Sequence, residues 1–186
     1  MSVQTYYTVV ESPIGNVLVV GAHGDGDVDD EFAISGVYMT GQRYEPPLGA
    51  DWALDAGFLA DASKQLDAYF AGDLTQFDLE LRPRGTLFQQ AVWSALRDIP
   101  FGTTCAYGQI AEQVADRTKT RAVAAAIGRN PIGIVVPCHR VVGADGSLTG
   151  YAGGLDRKRW LLDHEATVSG ATLPLKSVGP LRSADA

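Results

Sequence analysis

Residues 107–129 read YGQIAEQVADRTKTRAVAAAIGR, and the fold turns on how this stretch divides. Its pattern predicts a short helix near Tyr107–Val114, a polar turn at Asp116-Arg117-Thr118-Lys119 and a second helix near Thr120–Gly128. Two short helices about a tight turn form a helix-turn-helix candidate, although an ordinary helical hairpin fits the same pattern. The second helix carries almost no bulk beyond Arg121, Arg129, Val123 and Ile127. Small side chains let a backbone approach something closely, either a neighbouring helix or the floor of a DNA groove. Arg121 and Arg129, with Lys119 adjacent, suit a polyanion better than a core.

Towards the N-terminus, Thr86 can cap a helix bearing Phe88, Val92, Trp93 and Leu96, which Pro100-Phe101-Gly102 ends. Before it, Asp78 to Gly85 reads as a linker. The first 80 residues have a different texture. Residues 5–11, 17–21 and 32–39 are β-rich, and Ser12-Pro13-Ile14-Gly15-Asn16 forms the turn between the first two. From about 53 to 71, Leu54, Phe58, Leu59, Ala62, Leu66, Tyr69 and Phe70 recur at helical spacing, and Gly72 stops the helix. The acidic stretch 24–31 reads as a solvated loop rather than a calcium site, because the D-x-D-x-D-G frame is not met.

Towards the C-terminus, Asn130-Pro131 ends the small-residue helix, and the apolar run Ile132 to Val136 delivers the chain to Pro137-Cys138-His139-Arg140. A glycine-containing turn at 143–146, the run Tyr151-Ala152-Gly153-Gly154 and a last helix over Leu155–Glu165 follow. The reading is an α+β protein: a small N-terminal antiparallel sheet domain with a helix (1–80), a linker (81–85), a mainly helical domain with the helix-turn-helix (86–165) and a mobile tail (166–186).

The totals bound what such a chain can be. With 186 residues, 46% hydrophobic and 20% charged, it can pack a sizeable core. No stretch approaches the ~18 apolar residues of a membrane span, and the start has neither a basic nor an apolar export region. A soluble, cytoplasmic, monomeric protein is expected. Two cysteines, Cys105 and Cys138, are too few for a disulfide scaffold, and with His23, His139 and His164 they show no metal-ligand spacing. No metal and no cofactor are expected. The net charge of −7 argues at first against nucleic acid, but its distribution is lopsided. Residues 1–84 carry four Lys+Arg against fourteen Asp+Glu, whereas 85–165 carry nine against seven. Charge therefore leaves DNA binding open in the second half only.

A cysteine after an apolar run is by default a buried small hydrophobe. Here His139 and Arg140 follow at once, and a nearby cation favours thiolate over the reference pKa of ~8.5. Lowering that value by ~2 needs ~2.7 kcal/mol of anion stabilisation, within reach of a hydrogen-bonded histidine. Adjacent side chains often point apart, so a turn or a bridging water is needed to join them. Cys105, near the Gly102-Thr103-Thr104 turn, reads as a packed residue.

Pro137-Cys138-His139-Arg140-Val141, Arg121-Ala122-Val123, Asn130-Pro131, Tyr151-Ala152-Gly153-Gly154 and Trp160-Leu161-Leu162-Asp163-His164-Glu165 together resemble the O6-alkylguanine-DNA alkyltransferase family, the methylated-DNA–protein-cysteine methyltransferases. The resemblance is strongest over about 86–165. It implies a ribonuclease H-like N-terminal domain and a winged-helix-like C-terminal one. It also implies a DNA-repair enzyme that flips O6-methylguanine, with O4-methylthymine as a further candidate substrate, from double-stranded DNA and transfers the alkyl group to its own cysteine in a single suicidal turnover. Carried over residue by residue, Cys138 becomes the nucleophile, His139 the base acting through water, Glu165 the carboxylate that orients it and Asn130 the clamp on the cysteine turn. Tyr107 would donate to the base. Arg121 would fill the space left by the flipped nucleotide, with Ala122, Ala125 and Arg129 against the groove, while Val141, Tyr151 and Ala152 line the base pocket. Cysteine rather than tryptophan at 138 sets the chain apart from the non-catalytic alkyltransferase-like proteins.

Two other readings compete. A cysteine hydrolase could use Cys138, His139 and Glu165 on an ester or amide with multiple turnover. A DNA-binding module without chemistry would bind the lesion and form no adduct.

Overall fold

The structure, a computed structural model, describes residues 4–24 and 31–176. The acidic run 25–30 and residues 177–186 lie outside the described residues, so the expectations for that loop and the end of the tail stand without a structural counterpart.

Three strands, β1 (Thr5–Val10), β2 (Val17–Ala22) and β3 (Ala33–Met39), pair antiparallel, and the short β4 (Ala53–Leu54) joins β1 in parallel, giving the order β3-β2-β1-β4. β2 is apolar on both faces and almost wholly buried, as a central strand covered on both sides must be. The turn between β1 and β2 closes through Gly15 N–H to Ser12 O at 3.0 Å.

The helix expected over about 53–71 begins only at Ala60. Residues 53–54 are spent on β4, and Asp55 Oδ1 then accepts from the Gly57 N–H at 2.7 Å, turning the chain before α1 (Ala60–Ala71). Phe58 instead stacks among Tyr6 and Phe32, with ring centroids 4.3 and 5.6 Å away. Its helical spacing was a coincidence of two packing roles. α1 does bury the predicted stripe of Ala62, Leu66 and Tyr69, and Gly72 ends it at φ 83°, a left-handed conformation that favours glycine.

The stretch expected to be a linker is zipped to the sheet. Ile34 N–H donates to Glu80 O and Arg82 N–H to Ile34 O, both at 2.8 Å. Further along the same edge of β3, Val37 N–H donates to Pro131 O and Val37 O accepts from Gly133 N–H, both at 2.9 Å. The exposed edge of the N-terminal sheet is thus closed by the C-terminal half, satisfying backbone groups that would otherwise need water. One contiguous apolar core follows, running from Val17 and Leu66 through Trp93 and Leu96 to Ile132 and Leu161.

In the second half, α2 (Leu87–Arg97) starts with a full capping box between Thr86 and Gln89. The helix-turn-helix is present as α3 (Tyr107–Val114), a 3-10 turn at Arg117–Lys119 and α4 (Thr120–Ile127). Asp116 caps the turn through Thr118 N–H at 2.8 Å, and Trp93 Nε1–H donates to Ala126 O at 2.9 Å, pinning α4 to α2. Cys105–Ala106 (β5) pairs in parallel with Val141–Val142 (β6).

The last helix, α5 (Leu155–Ser169), runs four residues past the expected end at Glu165. The segment after it is docked: Leu173 and Leu175 pack on Val142, Leu148 and Leu162, Lys176 N–H donates to Gly146 O at 3.0 Å, and the Lys176 ammonium meets Asp145. The mobile tail expected from 166 therefore cannot start before 177, because two apolar side chains in a stretch without periodicity suffice to hold it. Among the described residues no helix is long and apolar enough to cross a membrane.

Candidate active site

The route to Cys138 is a series of tight backbone turns. Gly133 approaches β3 so closely that a Cβ there would lie 3.2 Å from Val37 O. Ile134, buried and β-branched, sits at φ 70°, a conformation sparsely used by such residues and tolerated here because the surrounding hydrogen bonds over-determine it. Val135 N–H donates back to Gly133 O and Cys138 N–H to Val136 O, each at 2.8 Å. Asn130 clamps both ends of the excursion: its Oδ1 accepts from Ile132 N–H at 3.0 Å and its Nδ2 donates to Val136 O at 2.8 Å. Cys138–Arg140 then forms a single 3-10 turn. The turn directs His139 away from the surface and into α5.

There Glu165, wholly buried, accepts from five groups. Oε1 receives Tyr69 Oη–H at 2.9 Å, His139 Nε2–H at 2.7 Å and an Arg140 terminal N–H at 2.9 Å. Oε2 receives Gly102 N–H at 3.0 Å and Arg140 Nε–H at 2.9 Å. Burial alone would raise the Glu165 pKa, but His139 and the two-pronged Arg140 outweigh it and hold the carboxyl well below the usual carboxylate range. Burial pushes the His139 pKa down, against the pull of Glu165. Because the ionised Glu165 can only accept, the His139 Nε2 proton is committed to it. The ring Nδ1, also buried, has no hydrogen-bond partner among the described residues.

The expectation that a neighbouring cation lowers the Cys138 pKa is not met. Burial raises the thiol, overriding Asn130, Lys158 and the backbone N–H groups of Cys138 and His139, which all favour the anion. Arg140 is spent on Glu165 and on Ile99 O, reached by a 2.6 Å hydrogen bond. The cation that does act on the sulfur is Lys158, buried and, among the described residues, without a carboxylate, held by Val141 O at 2.6 Å and Thr149 O at 2.8 Å; burial lowers its pKa to about 8. Cys105 is half-buried with a thiol raised by burial, as befits a packed residue.

Outside the thiol lies a recess of about 20 Å³ lined by Met39, Gln42, Ile127, Asn130, Tyr151 and Ala152. It shares Ile127, Tyr151 and Ala152 with an open groove of about 890 Å³. Arg121 and Ala125 from α4 and Arg129 from just beyond it, with Tyr107, line the groove, so most of the predicted binding residues converge. The Tyr107 hydroxyl donates to Thr149 O and Gly150 O at 3.3 Å, and burial raises its pKa. Two predicted residues fall elsewhere. Ala122 is exposed but outside the groove lining, and Val141 is fully buried with its carbonyl engaged by Lys158.

Sequence reasoning passed over Lys158, Tyr69, Met39 and Gln42. One signal was available: Lys158, Leu161, Leu162 and Glu165 form the buried stripe of α5, so two ionisable residues sit where only apolar ones are expected. Met39 and Gln42 carried no signal at all, since only tertiary packing brings the end of β3 to the thiol.

Comparison with known proteins places this arrangement in context. Residues 5–83 match the ribonuclease-like domain, and residues 87–167 the DNA binding domain, of 6-O-methylguanine DNA methyltransferases. The methylated-DNA–protein-cysteine methyltransferase of Mycobacterium bovis is 48% identical over 170 residues, covering 91% of this chain and 98% of that protein. The protein of the same name from Methanosarcina acetivorans is 46% identical over 162 residues, covering 87% and 99%. A crystal structure of Mycobacterium tuberculosis OGT in complex with DNA superposes with a TM-score of 0.77 at 48% identity, covering 88% of this chain and 94% of that one.

Proposed function

The chain belongs to the 6-O-methylguanine DNA methyltransferase family, and from that premise we propose that it takes the methyl group of O6-methylguanine in double-stranded DNA onto Cys138, once per molecule. The observation that carries the reading is the Nδ1 of a Glu165-bound His139, without a partner among the described residues, one residue from a thiol lining a recess that shares Ile127, Tyr151 and Ala152 with a groove lined with arginine.

Attack forms the Cys138 Sγ–methyl bond and breaks the methyl–O6 bond. The thiol proton passes to His139 Nδ1 through a bridging water, and the imidazolium so formed faces the Glu165 carboxylate. Guanine leaves as an anion and regains a proton, with Tyr107 donating to the base edge, so that one thiol proton is exchanged for one methyl group and nothing is oxidised. The resting thiol need not be ionised, because Lys158, Asn130 and the backbone N–H groups act where negative charge develops on sulfur. The product is a thioether with no electrophilic carbonyl for water to attack. It is permanent.

The recess beside Sγ is too small for a purine, so the base enters from the groove after extrusion from the stack. Arg121, exposed in the first turn of α4, fills the space left behind, and the small residues that follow it let α4 approach the groove floor. Arg129 and Ala125 flank the duplex, and Tyr151 and Ala152 wall the base. Burial and the neighbouring Cys138 keep the Tyr151 pKa well above its ordinary value, so its hydroxyl is a donor.

The test is mass spectrometry of the intact protein after incubation with a duplex containing O6-methylguanine. One added methyl is expected, mapped to the peptide of Cys138 and absent in Cys138→Ser. Release of many product equivalents per protein, or transfer persisting in the serine variant, would sink the reading.

A further inference from the structure

The N-terminal half is acidic, with only Arg43, Lys64, Arg82 and Arg84 as cations among its first 84 residues, yet one of these four stands in the groove. Arg43 and Tyr44 follow β3 and line the groove opposite Arg121. The corner is anchored to the base-pocket wall by Arg43 N–H donating to Ala152 O at 2.9 Å. Tyr44 sits at φ 68°, in the left-handed region, with 48% of its surface exposed. Its ring carries two guanidinium groups: Arg43 at 4.8 Å and Arg129, from just beyond α4, at 5.4 Å. The stack thus joins the two halves of the chain across the mouth of the groove.

Both arginines are exposed, and among the described residues neither pairs with a carboxylate; the ion pairs lie at Glu112–Arg117, His139–Glu165, Arg140–Glu165 and Asp145–Lys176. Two like charges held on one aromatic ring repel each other, and the ring quadrupole offsets that only in part. An anion between them would complete the arrangement. We propose that the Arg43–Tyr44 corner is a second arm of the DNA interface, contributed by the N-terminal domain, in which the ring holds Arg43 and Arg129 as a pair of backbone-phosphate contacts. The inference rests on the DNA-repair reading above, but it concerns binding rather than transfer.

Salt-dependent binding separates the two. Affinity of the full chain for an undamaged duplex is measured by fluorescence anisotropy across a sodium chloride series, for wild type, Arg43→Ala, Arg43→Lys and Tyr44→Leu, with a thermal midpoint recorded for each. Each phosphate contact adds about 0.9 to the magnitude of the log–log salt slope. Arg43→Ala should lower the slope magnitude by about that amount and weaken binding several-fold at low salt. Arg43→Lys should keep the slope, and Tyr44→Leu should weaken binding with an unchanged midpoint. An unchanged slope in Arg43→Ala overturns the proposal, as does a lowered midpoint with wild-type slope, which would make the stack a mere staple between domains. Absence of a methyl adduct on wild-type Cys138 would instead defeat the transfer reading, which the undamaged duplex does not probe.

Discussion

The hydroxyl of Tyr69 in α1 donates to Oε1 of Glu165 in α5 across 2.9 Å, joining residues 96 positions apart and tying the N-terminal domain to the carboxylate that holds His139. Tyr69 is fully buried, with its ring against Phe77, Phe101 and His164. Tyr69→Phe keeps that packing and removes only the donor. Hydrogen bonds to charged groups contribute about 1.5–3 kcal/mol, so a loss of about 2 kcal/mol in urea unfolding is expected, with slower methyl transfer. An unchanged urea midpoint would contradict this.

Among the described residues Arg140 supplies the only permanent cation bonded to Glu165. Replacing it with methionine leaves a buried carboxylate short of its main partner, and about 3–5 kcal/mol should be lost. The pH dependence carries a sign. Because the folded carboxyl titrates below its ordinary value of 4.5, the unfolded chain binds more protons in the acid range. The stabilisation is complete above 4.5 and is lost as pH falls below it. Urea midpoints followed from about pH 6 to about pH 3 should fall steeply for wild type and less steeply for Arg140→Met.

Lys158 acts in the opposite range. Its folded pKa of about 8 lies below the ordinary 10.5, so the unfolded chain holds more protons between those values and stability rises with pH there. Cys138, raised above 9.0, opposes this at higher pH, which leaves the interval from 8 to 9 as the clean window. Wild type should gain stability across it, and Lys158→Met should not. A flat wild-type profile would refute the assignment of a charged, buried Lys158.

Asn130 is the clamp on the cysteine turn. Asn130→Ala strands the buried Ile132 N–H, at about 1–3 kcal/mol, and takes from the Val136 carbonyl one of its two donors, leaving it the Cys138 N–H. A total loss of about 1–3 kcal/mol is expected together with a reduced single-turnover rate, since the turn that aims Cys138 is released. Full transfer rate in a destabilised variant would assign Asn130 to folding alone.

Much of the molecule was legible before folding. The helix-turn-helix followed from periodicity and an Asp-led polar turn, and the three main strands from β-rich runs about a Pro-Gly turn. The errors have local causes. Leu54 and Phe58 mimicked helical spacing while serving β4 and an aromatic cluster, and Leu173 and Leu175 dock a segment whose pattern has no period. The candidate linker was misjudged because strand pairing at a sheet edge depends on which partner arrives, and charged residues such as Glu80 and Arg82 pair through their backbones.

By itself the sequence determined the candidate nucleophile and its order of neighbours. Cys138, His139 and Arg140 are consecutive, and no folding event changes which residue follows the thiol. Tertiary structure decided what those neighbours do. Adjacency suggested that Arg140 and His139 would ionise the sulfur, but the 3-10 turn sends both to Glu165, and burial raises the thiol's pKa with Lys158 nearby. The physical reason is that a pKa depends on burial and on charges within a few ångströms. Both are set by contacts among α1, α5 and the cysteine turn, and no reading of adjacent residues contains them.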